Sequence, residues 1–193
     1  MKNFEIPPEI KAVINCFYPE DDDLKRTLIK HSTQVCIKAL QLAELSPRRV
    51  DTGIVAAGAM LHDIGIKNCN APGIFCRGPL PYLRHGLEGA EMLKQYGSKN
   101  NIDLNVFADI CARHTGSGLT AEEIIASGLP LPPIDLLPET PEEKLICLAD
   151  KFFSKSGTME EKSFETVRRS MEKFGPASLK RFDEMWKYFG LPR

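Results

Sequence analysis

The sequence holds no charge-free apolar run approaching the ~18–20 residues of a membrane-crossing helix, and its start, MKNFEIPPEI, lacks the apolar core of an export signal. Neither sign of charge prevails. With 25 basic residues against 26 acidic ones in 193, no global field recruits nucleic acid or an anionic membrane surface. The six cysteines include no CxxC pair. Cys36, Cys111 and Cys147 fall inside apolar helical patterns, where cysteine acts as a small hydrophobe. Without an export signal, all are expected to be reduced thiols of a cytoplasmic protein. Cys69 and Cys76 share a loop, but two thiolates lack the other two ligands of a structural zinc site. Sustained period-two alternation, internal repeats and a linker between cores are missing as well. Strands are therefore not expected, and residues 1–193 read as one domain, with a core over 22–155 and C-terminal helices over 156–193 packed on it.

Helical periodicity fills the chain instead, and the fold class it predicts is all-α. From Asp22 to about Leu45, Leu24, Leu28, His31, Val35, Ala39 and Leu42 recur at three- and four-residue steps, with Pro47 marking the end. A second helix opens at Asp51-Thr52 and carries Ile54, Val55, Gly58 and Leu61 on one face. Gly58 costs about 1 kcal/mol relative to alanine there, but it permits a close helix–helix approach. A third covers His85 to Tyr96, stopped by Gly97; a fourth follows Asp103 and carries Leu104, Phe107, Cys111 and His114. Thr120-Ala121-Glu122-Glu123 reads as a capping box opening a short helix closed by Gly128. LPLPPIDLLPETP is a wrapped connection, and Pro141 starts EEKLICLADKFFSK. Two more helices are expected at about Met159–Lys173 and Ala177–Phe189, with Phe174, Phe182, Trp186 and Phe189 closing the core or, alternatively, forming a dimer face, so the oligomeric state stays open.

One stretch breaks the apolar logic. In AMLHDIGIKN, His62 and Asp63 stand at the end of a segment a protein buries, where unpaired polar groups are costly. The other histidines behave alike: His31 lies on the first apolar stripe, His85 begins the third helix, and His114 ends the fourth on its apolar face. Asp150 interrupts the buried pattern of Leu145, Ile146, Ala149 and Phe153. A lone histidine on an apolar face is usually a satisfied core residue; four of four, with two carboxylates, is a pattern. Buried carboxylates need cationic partners. No lysine or arginine lies on these inward faces before Lys67 and Lys151 just beyond them, so a metal cation is expected to supply the charge.

With His31, then His62-Asp63 in AAGAMLHDIGI, then Asp150 in KLICLADK, the chain resembles the HD superfamily of metal-dependent phosphohydrolases. His85 in RHGLEGAEML and His114 in ARHTGSGLTAEE resemble its binuclear branch, which includes HD-GYP phosphodiesterases and the small enzymes that cleave diadenosine tetraphosphate symmetrically. The resemblance runs over about residues 24–155. It implies an HD-type helical bundle and two divalent ions. One is held by His31, His62, Asp63 and Asp150; the other by His85 and His114, with Asp63 bridging. Imidazole and carboxylate suit iron, manganese or zinc. Two divalent ions against two aspartates leave +2, which attracts phosphate. Water made acidic by the ions would attack phosphorus.

The implied substrate is a small phosphorylated molecule, nucleotide-like, with neither nucleic acid nor membrane as partner. The loop IKNCNAPGIFCRGPLPYLR contains Lys67, Arg77 and Arg84 and no acid, and is expected to edge the pocket and contact phosphate. Lys67 stands one residue later than the lysine that directly follows HDIG in many relatives. Lys67 and Lys151 are candidate catalytic cations beside Asp63, although Lys151 could instead pair with Asp150. Thr115 is a candidate substrate contact through backbone donors. The same ligands also occur in di-iron oxygenases of this fold, and a catalytically silent nucleotide sensor is a third possibility.

Overall fold

The computed structural model describes residues 5–192. The outermost positions of the expected domain span, residues 1–4 and 193, lie outside the described residues. Among the described residues nine α-helices follow in order: α1 (Pro8–Phe17), α2 (Asp23–Leu45), α3 (Thr52–Leu61), α4 (His85–Asn100), α5 (Asn105–Arg113), α6 (Ala121–Ala126), α7 (Pro141–Asp150), α8 (Phe164–Glu172) and α9 (Pro176–Tyr188). The all-α expectation holds. No helix among the described residues is long and apolar enough to cross a membrane.

Local chemistry sets most of the helix starts. Asp22 accepts from the Lys25 amide at 2.8 Å to open α2, and Asp51 accepts from Gly53 and Ile54 to open α3. Thr120 and Glu123 exchange bonds in the expected capping box, and Thr140 caps α7 ahead of Pro141. Buried α3 lies at the centre, against α2, α5 and α7. A β-carbon on Gly58 would meet Ile110 Cδ1 at 2.5 Å and Ile146 Cδ1 at 2.9 Å, so this glycine admits α5 and α7 together.

The sequence expectations differ from the structure in four places. The helix α4 runs through Gly97 to Asn100 and ends at Asn101, which takes the left-handed conformation; a single glycine weakens a helix without stopping one. α8 begins at Phe164, capped by Ser163, rather than near Met159, whose positive φ of 57° interrupts a helical path. α1 was not anticipated, although Ile10, Val13, Ile14 and Phe17 have helical spacing, with the first three buried. A small sheet also forms within the 66–84 loop, from β1 (Cys69–Ala71), β2 (Cys76–Arg77) and β3 (Leu80–Pro81). β1 pairs antiparallel with β2 (Asn70 opposite Arg77) and parallel with β3 (Cys69 opposite Leu80). Strands of two or three residues are too short to show alternation.

The C-terminal aromatics divide. Phe182, Trp186 and Phe189 are buried in the core, and the Phe164 and Trp186 ring centroids lie 4.6 Å apart. Phe174 is 68% exposed. Arg168 joins α8 to α9 through Asp183 at 3.0 and 2.9 Å. Arg181 of α9 reaches the Ser117 and Gly118 carbonyls and Glu123, which fixes the segment after His114.

Candidate metal centre

Six side chains from separate parts of the chain meet in the interior. His31 comes from the middle of α2, His62 and Asp63 from the end of α3, His85 from the first position of α4, His114 from just past α5 and Asp150 from the last position of α7. Their donor atoms form two groups, His31–His62–Asp63–Asp150 and Asp63–His85–His114, within each of which the atoms lie no more than 4.8 Å apart. Asp63 belongs to both.

The histidine tautomers are set by the backbone. His62, His85 and His114 each place Nδ1 2.7 Å from the carbonyl three residues earlier, at Ala59, Tyr82 and Cys111. A carbonyl can only accept, so each Nδ1 carries its hydrogen, and in a neutral ring the Nε2 lone pair points inward. Nε2 of His85 and of His114 are 3.0 Å apart. Asp63 Oδ2 lies 3.0 Å from His62 Nε2 and 3.2 Å from His31 Nε2, and Oδ1 lies 3.4 and 3.5 Å from His85 and His114. Close as they are, both Asp63 oxygens and His62 Nε2 lack an aligned hydrogen bond. They aim at shared points rather than at one another, which is ligand geometry. Nitrogen and oxygen donors, no thiolate, and rings fixed from behind by carbonyls fit hard-to-borderline divalent cations.

Glycine makes this convergence possible. A β-carbon on Gly65, two residues past Asp63, would meet the His85 carbonyl oxygen and the Gly89 nitrogen at 2.2 Å. These are backbone atoms within α4 and cannot yield. Gly65→Ala is expected to push α4 off the turn and lower stability by about 2–4 kcal/mol, measured by denaturant unfolding, with His85 and His114 drawn away from Asp63.

The expectation that no lysine shares these faces is corrected. Lys155 Nζ lies 2.8 Å from Asp63 Oδ2, and Lys151 Nζ lies 2.6 Å from Asp150 Oδ2 and 3.2 Å from the His114 carbonyl. Lys155 follows the end of α7, and the bend at 151–156 folds its side chain back over the cluster, which helical periodicity cannot anticipate. Burial opposes both carboxylate charges. The cations and histidines around Asp63 and Asp150 nonetheless hold both well below the usual range. Lys155 is likewise driven up by the two carboxylates against its own desolvation. Burial would lower His62, but Asp63 and Asp150 outweigh it and bring it to about 9. His85, desolvated and facing His114, falls to about 3, and burial lowers His114 as well.

These directions give a measurable proton count. Asp63 and Asp150 favour a protonated His62, whose proton a cation must displace, whereas burial favours a neutral His85 with none to lose. Metal uptake is expected to release about one proton at the His62 group, and its apparent affinity should rise about tenfold per pH unit up to pH 9. Titration in weak buffer with a pH indicator checks this; uptake without proton release would show His62 already neutral.

The remaining candidate residues lie elsewhere. Lys67 Nζ donates to the Phe17 carbonyl, 5.4 Å from the Tyr18 ring centroid, and so ties the HD turn to α1 rather than reaching the cluster. Arg77 is exposed on β2, and Arg84 pairs with Glu88 at 3.3 Å. The 66–84 loop does reach the rim of the site, but through Ala71, Gly73, Ile74, Tyr82 and Leu83 rather than its basic residues. Thr115 lines a cavity beside His85, and its carbonyl accepts from Gly118. Cys69 and Cys76 are buried free thiols that burial drives up to about 11.

The HD domain family model matches residues 28–154, which contain all six side chains. The chain belongs to the HD domain family. Curated relatives include a tRNA (cytidine(56)-2'-O)-methyltransferase of Picrophilus torridus, 38% identical over 149 residues, which cover 77% of this chain and 37% of the relative. Another is the uncharacterized protein MJ0778 of Methanocaldococcus jannaschii, 35% identical over 126 residues, covering 64% of each. The chain thus spans from about a third to under two thirds of the length of these relatives. Among solved structures, the HD domain of the Listeria monocytogenes phosphodiesterase PgpH superposes with a TM-score of 0.51 at 16% identity, over 93% of this chain and 95% of that one. At that identity the likeness concerns the fold of this HD protein.

Proposed function

We propose that the cluster is the centre of a hydrolase acting on a phosphate ester or anhydride of a small, nucleotide-like molecule, with two divalent ions as cofactors. The single observation that carries this reading is the convergence of four imidazoles and two carboxylates into two groups of potential ligands that share Asp63. When bound, the ions supply Lewis acidity toward a phosphoryl group and a water nucleophile at neutral pH.

The chain supplies the remainder. The carbonyls of Ala59, Tyr82 and Cys111 fix three rings, and Asp63 spans the two groups. Lys151 and Lys155 place positive charge where a phosphoryl group carries negative charge. Tyr82 stacks on His85 at 4.7 Å and 17° and shields it from water. The lysines on the adjoining cavity favour a phosphorylated substrate over oxygen activation at the same ligands.

The test follows phosphate release from a panel of phosphomonoesters, diesters and polyphosphates by protein loaded with manganese, iron(II) or zinc. Turnover with redox-inert zinc excludes the oxygenase. Complete inertness of metal-loaded protein toward the panel would refute hydrolysis.

A further inference from the structure

Four of the six side chains are no more than 2% exposed; Asp150 at 8% and His85 at 5% are the openings of the cluster. They open into different cavities. Asp150 borders one of about 550 Å³ that is also lined by Lys151, Lys155, Lys162 and Ser170. His85 borders another of about 480 Å³ lined by Leu83, Leu119, Leu129, Thr115 and Ser178. Tyr82, Gly116 and Phe174 belong to both and form the ridge between them.

The two cavities differ in chemistry. The first gathers three ammonium groups: Lys155 on Asp63, Lys151 on Asp150, and Lys162 on the Lys151 and Phe153 carbonyls at 3.4 and 3.2 Å. The second has leucine walls. Arg181 at its edge pairs with Glu123 at 2.8 Å, and Lys173 also lines it, beside the short hydroxyl groups of Thr115 and Ser178. On the ridge Phe174 keeps an exposed ring held by no aromatic neighbour among the described residues. Lys155, Lys162, Phe174, Ser178 and Arg181 all lie beyond residue 154, where the family match ends.

We infer that this HD protein takes a nucleoside polyphosphate in two arms, the phosphate chain in the lysine cavity and the nucleoside in the leucine cavity, with Phe174 stacking on the base at the ridge. The inference rests on the hydrolase reading and adds the substrate class. An inorganic polyphosphate would use one cavity and leave the other wet. A nucleoside brings a flat apolar face and a few hydroxyls, which match the leucines, Phe174, Thr115 and Ser178.

The experiment is calorimetric binding to the manganese-loaded protein of two probes, β,γ-methylene ATP and inorganic tripolyphosphate, beside hydrolysis of bis(p-nitrophenyl) phosphate. The nucleoside probe is expected to bind about tenfold more tightly than tripolyphosphate, the scale of one base–aromatic stack. Phe174→Ala should erase that preference while leaving tripolyphosphate affinity unchanged, and Phe174→Tyr should keep it. Lys162→Met should weaken both probes about equally. Equal affinity of the two probes for the unaltered protein, or equal weakening of both by Phe174→Ala, overturns the two-armed substrate. Hydrolysis of the diester alongside either result would leave the hydrolase reading intact; failure of diester hydrolysis with nucleoside preference retained would overturn that reading instead.

Discussion

Asp63→Asn is expected to empty the centre. On the proposed two-ion hydrolase, bound divalent metal should fall from two ions per chain toward none, and phosphohydrolysis by about 10³-fold or more, the scale set by losing a preorganised charge partner. The reason is the position of the carboxylate between both groups. Its Oδ2 faces His31 and His62 at 3.2 and 3.0 Å, and its Oδ1 faces His85 and His114 at 3.4 and 3.5 Å. An amide keeps the shape but loses the charge and turns one of the two oxygens into a donor. That donor would face nitrogen lone pairs, so the rings could survive while the cation could not. Lys155 would also lose its partner in a buried site, costing the metal-free fold about 3 kcal/mol. Elemental analysis and thermal unfolding of the purified variant read both effects. Full metal content in Asp63→Asn would remove the bridging role.

His85→Ala and His114→Ala should give a different result. Each removes half of the facing Nε2 pair, 3.0 Å apart, and leaves His31, His62, Asp63 and Asp150 in place. Bound metal should fall from two ions toward one, and the rate by about 10²–10³-fold. The single-ion protein should also lose phosphate affinity, because the positive charge of the centre falls by two. His85→Ala should be the milder change in stability. His85 lies at the rim, whereas His114 is 2% exposed and packs against His62 at 4.8 Å. Unchanged metal occupancy in both variants would leave the second group without a role in binding.

The six converging residues were legible in the sequence for a physical reason. Histidine is scarce in this chain, and each of the four falls on an apolar face or at a helix boundary, so a helical reading alone points them inward. Asp150 was legible in the same way, as a lone charge among Leu145, Ile146 and Ala149. Lys155 was not. It lies past the end of α7, where direction depends on a bend and not on a period, and a four-carbon side chain can reach back as easily as out. The role of Lys67 depended on α1, which the sequence reading had not placed, so its contact with Phe17 had no partner on which to be predicted. The short sheet left no trace because strands of two or three residues show no alternation, and α4 continues past Gly97 because one glycine weakens a helix without ending it.

The ammonium of Lys155 against Asp63 also bears on how such a molecule is made. A fold that neutralises its own most deeply set acid can reach its final shape in a cell starved of transition elements and be charged afterwards. Chelators should accordingly idle this protein without unravelling it.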